Sequence, residues 1–229
     1  MPKIKIELSG EIVKEYALAA GATVAGIAAA SDFTSAPEGH SPSDVLEGCL
    51  SVIVLGVPFP PEALSLPAPE YTALRNEILT RMTAIAKALE KRIHADGHKA
   101  KAISATGGKF IEGKHWGAIS LKHAAQLAGL GVITQNYLLT GPEHGNLLWF
   151  SAVLTDAELV PDEKMHLDIC EDCNLCVEAC PSGALDNCPA EFGRKQCDQF
   201  FKIVDKKLEI QCFKCRAVCP HRFGENAHG

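Results

Sequence analysis

The sequence predicts an α+β fold in two parts, a domain over residues 1–165 and a small cysteine-rich module over residues 166–229. Three observations support this division. Helix-type and strand-type apolar patterns both occur in the first part. Nine of the ten cysteines follow residue 169, and only Cys49 precedes it. The second part is also too short to bury a large apolar core, and units of that size usually depend on bound metal or cross-links.

Five stretches of the first part predict its elements. Residues 17–30, "ALAAGATVAGIAAA", suit a packed helix followed by a strand. Residues 51–59 and 99–106 suit strands, and residues 69–96 suit one long helix because apolar residues recur every three or four positions. A helix over 120–131 ends at glycines, and residues 136–155 suggest a hairpin that turns at 141–145.

The composition is that of a globular protein. The chain has 229 residues, is 47% hydrophobic and carries a formal net charge of −6, which argues against a nucleic acid as the default partner. No apolar run approaches membrane-spanning length and the N-terminus lacks a signal-peptide pattern, so we expect a cytoplasmic protein without a membrane partner. In a reducing compartment, clustered thiols are more often metal ligands or catalytic groups than disulfides.

The second part carries a repeated cysteine motif. Residues 170–181, "CEDCNLCVEACP", have the spacing C-x₂-C-x₂-C-x₃-C-P, and residues 212–220, "CFKCRAVCP", repeat its second half. This spacing is typical of proteins that hold two [4Fe–4S] clusters, in which the last cysteine of each run ligates the other cluster. Zinc is the alternative, since C-x₂-C pairs also bind zinc, but the two C-x₃-C-P endings favour iron–sulfur clusters.

The crossover rule predicts the ligands of both clusters except one. The first cluster takes Cys170, Cys173, Cys176 and Cys219, and the second takes Cys180, Cys212, Cys215 and one more cysteine. That last ligand is either Cys188, in a turn-like stretch, or Cys197, in an apparent helix over residues 191–204. Spacing alone leaves both open.

Several of these stretches resemble the epoxyqueuosine reductases. The resemblance rests on "GRKQCDQFF … CFKCRAVCP", on "QLAGLGVITQNYLLTGPEHGNLLWFSAVLTDAELVPD" and, more loosely, on "GATVAGIAAASDF" and "CLSVIVLGVPFPP". A basic pair before a cysteine is a feature of the family's second-cluster region, so the resemblance favours Cys197 as the eighth ligand. It implies a nitroreductase-like first domain that holds a cobalamin, as in the related reductive dehalogenases, with the two clusters supplying electrons.

The resemblance also implies site residues. The family sequence Trp-x-Gly-Lys-Asn is replaced here by residues 132–136, of which only Asn136 is kept, and the family's Gly-Ser turn becomes Gly145-Asn146. We expect the corrin to be bordered by the segment from Gly131 to Asn136 and by the turn His144, Gly145 and Asn146. The family's general acid, an aspartate, corresponds to His115 when residues are counted back without gaps.

The sequence thus predicts a corrinoid-dependent reductase. It would pass electrons from an external low-potential donor, of the ferredoxin or flavodoxin type, through both clusters to cobalamin and then to a small-molecule or nucleoside substrate. The full-length family continues into helical repeats that grip tRNA, whereas this chain ends ten residues after Cys219, which argues against tRNA as a partner. The alternatives are an electron carrier or corrinoid-reducing activator without substrate chemistry, and a flavin enzyme on the same fold.

Overall fold

A computed structural model describes residues 7–105, 109–111, 114–190, 192–205 and 207–224, with side chains except at 109–111, 114–116 and 207. The helices in these ranges are Gly10–Ala19 (α1), Pro42–Val45 (α2), Ala68–Ala95 (α3), Leu121–Leu127 (α4), Leu175–Glu178 (α5), Arg194–Asp198 (α6) and Lys214–Ala217 (α7). The strands are Val24–Ala29 (β1), Ser51–Pro58 (β2), Ala100–Ile103 (β3), Lys109–Ile111 (β4), Lys114–Trp116 (β5), Val132–Ile133 (β6), Leu139–Thr140 (β7), Leu148–Thr155 (β8), Phe201–Val204 (β9) and Lys207–Ile210 (β10). None of the described helices is long and apolar enough to span a membrane.

A four-stranded antiparallel sheet lies at the centre of the first part, with strand order β1-β2-β8-β3. The inner strands β2 and β8 pair over their whole length, from Ser51 opposite Thr155 to Pro58 opposite Leu148. Almost every residue of both strands is buried. Because successive side chains of a strand point to opposite faces, this burial means that both faces of the sheet are covered. The strands predicted at 51–59 and 99–106 are confirmed as β2 and β3.

Helices cover the two faces of the sheet. On one face, Ile53 and Leu55 of β2 belong to an apolar core that includes α1 and α3. On the other face, Val52 and Val54 pack with α4. The long helix predicted at 69–96 is confirmed as α3, whose buried residues recur at the spacing of one helical face. The strand predicted within 17–30 and the helix predicted within 120–131 are confirmed as β1 and α4. The helix predicted at the start of 17–30 lies mostly before that range, because α1 ends at Ala19.

Two predicted elements are wrong. Residues 136–155 turn at 141–145, where Gly141 and Gly145 form an isolated bridge, but the flanking strands do not form a hairpin. Instead β7 pairs with β6, and β8 joins the central sheet. The helix predicted over 191–204 ends at Asp198, because Phe201–Val204 pairs with β10 as a strand.

The segment between the two parts follows the edge of the sheet. Asp162 and Ile27 of β1 are joined by two hydrogen bonds of 2.9 Å, one between backbone groups and one from the Ile27 amide to the Asp162 carboxylate. The Asp162 carboxylate also forms an ion pair with Lys14 of α1. The chain therefore enters the cysteine-rich module from a fixed point on the first part.

The cysteine-rich module has little apolar core of its own. Among the described residues, its buried cluster consists of Cys176, Leu185 and Cys188, with partly buried neighbours that include Tyr137 of the first part. The module is held to α3 by a stack of Tyr71 on Phe213, with ring centroids 3.9 Å apart and planes at 10°. The module therefore depends on the first part for much of its packing.

Candidate iron–sulfur centre

Four cysteines line one pocket of the module. They are Cys170, Cys173, Cys176 and Cys219, and the pocket wall also includes Thr134 and Asn136 of the first part together with Ile169, Leu175, Pro220 and His221. These are the four cysteines that the crossover rule assigns to one cluster. The fourth of them lies 43 positions beyond the third (219 − 176), so its presence in the same wall is a product of the fold.

Local structure brings the first three cysteines to the pocket. The Cys173 amide donates to the Cys170 carbonyl at 3.1 Å, which closes a tight turn, and Cys176 lies in the short helix α5 that follows. Cys219 comes directly after α7 and its C-cap residue, Val218. A turn followed by one helical turn directs closely spaced side chains towards a common point, which suits the C-x₂-C-x₂-C spacing.

The electrostatics of the first group reflect this proximity. Burial, together with the neighbouring Cys170, Cys219 and Cys173, raises the pKa of the Cys176 thiol to about 11. The pKa of the Cys219 thiol is also raised, mainly by burial, and a hydrogen bond from the backbone of His221 partly offsets this rise. Thiols that repel one another as thiolates are stabilised in that form by a bound metal centre.

A second group of cysteines lies beside the first. The pKa of the Cys215 thiol is raised to about 12, mainly by burial. The charge of Arg216 lowers this pKa, and the neighbouring Cys197, Cys212 and Cys176 raise it. Burial raises the pKa of Cys197 too, with Cys212 and Cys180 among its charged neighbours. Cys180, Cys197, Cys212 and Cys215 therefore form one neighbourhood, and Cys176 lies next to it.

Cys188, the other cysteine considered as eighth ligand, has different neighbours. It is buried, its thiol points to the Ala184 carbonyl at 3.9 Å, and burial raises its pKa while Lys122 lowers it. Cys180 is a neighbour that raises its pKa. Lys122 lies over the Tyr137 ring at 3.8 Å, and burial lowers the pKa of its ammonium to about 7.

Within the described residues, no three His, Cys, Asp or Glu side chains are arranged to hold a single metal ion. The cysteines of the first group share the wall of one pocket. Cys49 lies apart from both groups, buried in the core between the sheet and α4, as a small apolar residue would be.

The asparagines expected to border a corrin face the cysteine-rich module. Asn136 is buried, and its side-chain amide donates to the Cys215 carbonyl at 3.3 Å. Asn146 is buried as well and donates to the Arg216 carbonyl at 3.3 Å, while its side-chain oxygen has no hydrogen-bond partner within the described part of the chain. Both side chains therefore attach the first part to the backbone that carries the second cysteine run.

The other residues expected at a corrin lie around them. Gly145 packs against the backbone of His221 and Arg222, and Gly131, directly before β6, packs against Thr140 at the end of β7. His144 is half-buried and borders a separate pocket of about 390 Å³, lined also by Pro58, Phe59, Pro60, Pro61, Glu143, Leu147 and Phe223. The backbone of His115, the expected general acid, lies in β5 opposite Phe110, and its side chain is outside the described part.

Arg216 is the residue of this site that the sequence analysis missed. It lies between the last two cysteines of the second run and is buried, with 5% of its surface exposed. Its guanidinium lies over the rings of Phe59 and Trp149, at 5.7 and 5.6 Å from their centroids. Its position directly after Cys215 is the signal in the sequence that could have identified it. Its burial, however, depends on Phe59 and Trp149, which lie far away in the sequence.

Comparison with known proteins agrees with the cysteine motifs. The family model described as a 4Fe-4S binding domain matches residues 164–186. An epoxyqueuosine reductase of Bacillus subtilis (strain 168) is 30% identical over 124 residues, which are 49% of this chain and 31% of that protein. The chain therefore spans about a third of the length of this curated relative.

Solved structures show the same fold. An epoxyqueuosine reductase bound to a tRNA-Tyr stem loop matches with a TM-score of 0.64 and 19% identity, over 95% of this chain and 66% of that one. A reductive dehalogenase, described in connection with B12-dependent dehalogenation, matches with a TM-score of 0.73 and 18% identity, over 95% of this chain and 32% of that one. The resemblance predicted from the motifs is confirmed: this chain is similar in sequence to epoxyqueuosine reductases and shares its fold with them and with a reductive dehalogenase.

Proposed function

We propose that the protein is an iron–sulfur, cobalamin-type reductase whose C-terminal module holds two [4Fe–4S] clusters. The observation that carries this proposal is the single pocket lined by Cys170, Cys173, Cys176 and Cys219, the four cysteines that the crossover rule assigns to one cluster. Four thiolates are the usual ligand set of a [4Fe–4S] cluster, so the donor set fits. When bound, such clusters supply one-electron transfer at low potential.

The proposed ligands follow these neighbourhoods. Cys170, Cys173, Cys176 and Cys219 would hold the first cluster, and Cys180, Cys197, Cys212 and Cys215 the second. Proximity to both Cys212 and Cys180 favours Cys197 over Cys188 as the eighth ligand. We place the start of the cluster-binding module at residue 166, because all eight proposed ligands follow that residue.

The chain's residues would contribute packing and shielding to the clusters. Leu175, Ile169 and Pro220 provide apolar wall on the first pocket. Phe213 and the aromatic pair of Tyr137 and Phe192, stacked with centroids 4.9 Å apart, exclude water near the second group. Burial of this kind is one of the factors that set the potential of a cluster.

Cobalamin fits the described residues in part. The pocket beside His144 is mainly apolar, has one imidazole and lies where the first part meets the residues after Cys219, which is typical of a cofactor site. Its volume of about 390 Å³ accommodates a portion of a corrinoid. His144 and Phe59 would contact that portion, and a bound cobalamin would supply a low-valent, nucleophilic cobalt centre.

The donor and the substrate complete the proposal. An external low-potential protein of the ferredoxin or flavodoxin type would supply electrons, and His115 would give a proton to the substrate. The similarity to a reductase solved with a tRNA stem loop makes tRNA a plausible partner, which revises the expectation against it drawn from the sequence. The substrate is then a modified nucleoside in RNA or a small molecule.

A second function is favoured by one observation. Asn136, Asn146 and Gly145, three of the residues expected beside a corrin, contact the cysteine-rich module instead of an open cleft. An electron carrier or corrinoid-reducing activator needs such a rigid junction and no corrin of its own.

The two functions differ in what the purified protein retains. The protein is made anaerobically with cobalamin supplied, desalted, and analysed for iron, sulfide and the corrin absorption band. A reductase should keep about eight irons and eight sulfides per chain together with a corrin, whose cobalt(II) electron paramagnetic resonance spectrum should be of the base-off type. Intact clusters without corrin, at micromolar protein and hydroxocobalamin, would favour the electron carrier.

A further inference from the structure

Arg216 brings a permanent positive charge into the interior of the protein. Its side chain is buried against the aromatic rings of Phe59 and Trp149, on the first part of the chain. Among the residues that the structure describes, no carboxylate lies within ion-pair distance of it. A buried charge without a counter-charge is strongly unfavourable, so this position calls for a negative partner.

The backbone around Arg216 is held in place from both sides. Its guanidinium donates to the Asn146 carbonyl, and the Asn146 side-chain amide donates back to the Arg216 carbonyl at 3.3 Å. Tyr71 is a further neighbour. Burial raises the pKa of its hydroxyl, and the nearby charge of Arg216 lowers it. These contacts are to neutral groups, which fix the position of the guanidinium without balancing its charge.

A candidate for the counter-charge is the second group of cysteines. Arg216 follows Cys215 directly in α7. Other cations lie nearby: Arg194 acts on Cys197, and Lys122 lies over Tyr137. Arg194, however, is half-exposed and shares its charge with Asp198 at 3.7 Å.

We infer that Arg216 is a built-in counter-charge for the cluster bound by Cys180, Cys197, Cys212 and Cys215, and that it raises the reduction potential of that cluster. The inference rests on the proposed cluster binding and goes beyond it. A [4Fe–4S] cluster with four thiolates is anionic, and reduction adds one more negative charge. A fixed cation in a medium of low dielectric stabilises the more negative state more strongly, so the reduced cluster gains more from Arg216 than the oxidised one. Arg216 thus influences electron transfer through its fixed charge.

The test compares three variants of the whole chain carrying its clusters. Arg216→Gln removes the charge but keeps an amide that can donate to Asn146. Arg216→Lys keeps the charge and loses the planar guanidinium. Arg194→Gln is the matched control, because it removes a half-exposed, ion-paired cation beside the same cluster. Iron content and the electron paramagnetic resonance signals of the reduced clusters are measured in anaerobic redox titrations.

In Arg216→Gln, we expect the midpoint potential of the second cluster to shift by about −59 mV for its one-electron reduction. At the wild-type midpoint potential, this shift lowers the ratio of reduced to oxidised cluster about tenfold. The other cluster should shift less, and Arg216→Lys and Arg194→Gln should stay close to wild type. Loss of one cluster in Arg216→Gln, with Arg216→Lys retaining it at an unchanged potential, would also support the inference.

Two results would overturn the inference. One is a full iron complement in Arg216→Gln with unchanged potentials. The other is an equal shift, or equal loss of iron, in both Arg216 variants, which would assign the residue a purely structural role. A wild-type chain that binds no clusters would instead refute the proposed function itself.

Discussion

Replacement of Gly145 by alanine tests whether the first cluster depends on the contact between the two parts of the chain. Gly145 has a φ of +53° and lies in the turn over residues 141–145. A Cβ at this position would lie well inside 3.0 Å of backbone atoms of His221 and Arg222. The neighbouring Asn146 amide also donates to the Arg222 carbonyl at 3.2 Å, so the turn and the segment after Cys219 are packed backbone against backbone.

The expected cost has two components. A left-handed conformation costs an alanine roughly 1–2 kcal/mol, and the collision adds about 1–3 kcal/mol, as overpacking usually does. The collision involves backbone, which cannot turn away as a side chain would, so the segment after Cys219 must move. The sum is about 2–5 kcal/mol, and the displacement moves Cys219 away from the other ligands of its pocket.

The control separates the two components. Gly39 also has a left-handed φ, +80°, but a Cβ there would meet nothing within 4 Å. Gly39→Ala should therefore show the conformational cost alone. Free energies of unfolding from denaturant titration, together with iron and sulfide per chain, give the comparison. We expect Gly145→Ala to be less stable than Gly39→Ala and to hold about half the iron. Equal stability of the two variants with full iron in both would refute this account of the junction.

Two further predictions concern the ligands and the proton donor. Cys188→Ser should keep about eight irons per chain, whereas Cys197→Ser should lose or convert one cluster; the reverse result, seen by iron analysis and electron paramagnetic resonance, would make Cys188 the eighth ligand. His115→Ala should slow turnover by about 10²–10⁴ with clusters unchanged, and the wild-type rate should fall as pH rises through the imidazole range, because the protonated donor is lost. Unchanged turnover would leave His115 without a catalytic role.

Local sequence patterns predicted those elements whose residues decide their own structure. The strand at 51–59 is a continuous apolar run, and the helix at 69–96 repeats its apolar face from Tyr71 to Ile93. Both predictions are confirmed, as β2 and α3. The grouping of Cys170, Cys173 and Cys176 with Cys219 also followed from spacing, because the crossover is a property of the motif.

Elements that depend on distant partners were not predicted. The hairpin at 136–155 failed because β8 finds its partners in β2 and β3, which no local turn signal specifies. The helix over 191–204 failed because Phe201–Val204 gains a strand partner in β10. The burial of Arg216 likewise needs Phe59 and Trp149, from two different strands or strand ends, to meet over it.

The position of β8 in the sheet has a consequence for the order of events during synthesis. β8 pairs with β2 on one side and β3 on the other, so the sheet is incomplete until Thr155 has left the ribosome. Every cysteine of the module follows Thr155 in the chain and therefore emerges from the ribosome after it. Since domains generally fold as units as they emerge, the surface that carries Tyr71 and Asn146 can be in place before the first cluster ligand emerges. The nascent thiols then meet a preformed support, which shortens the time for which they are free to react with oxygen or with one another.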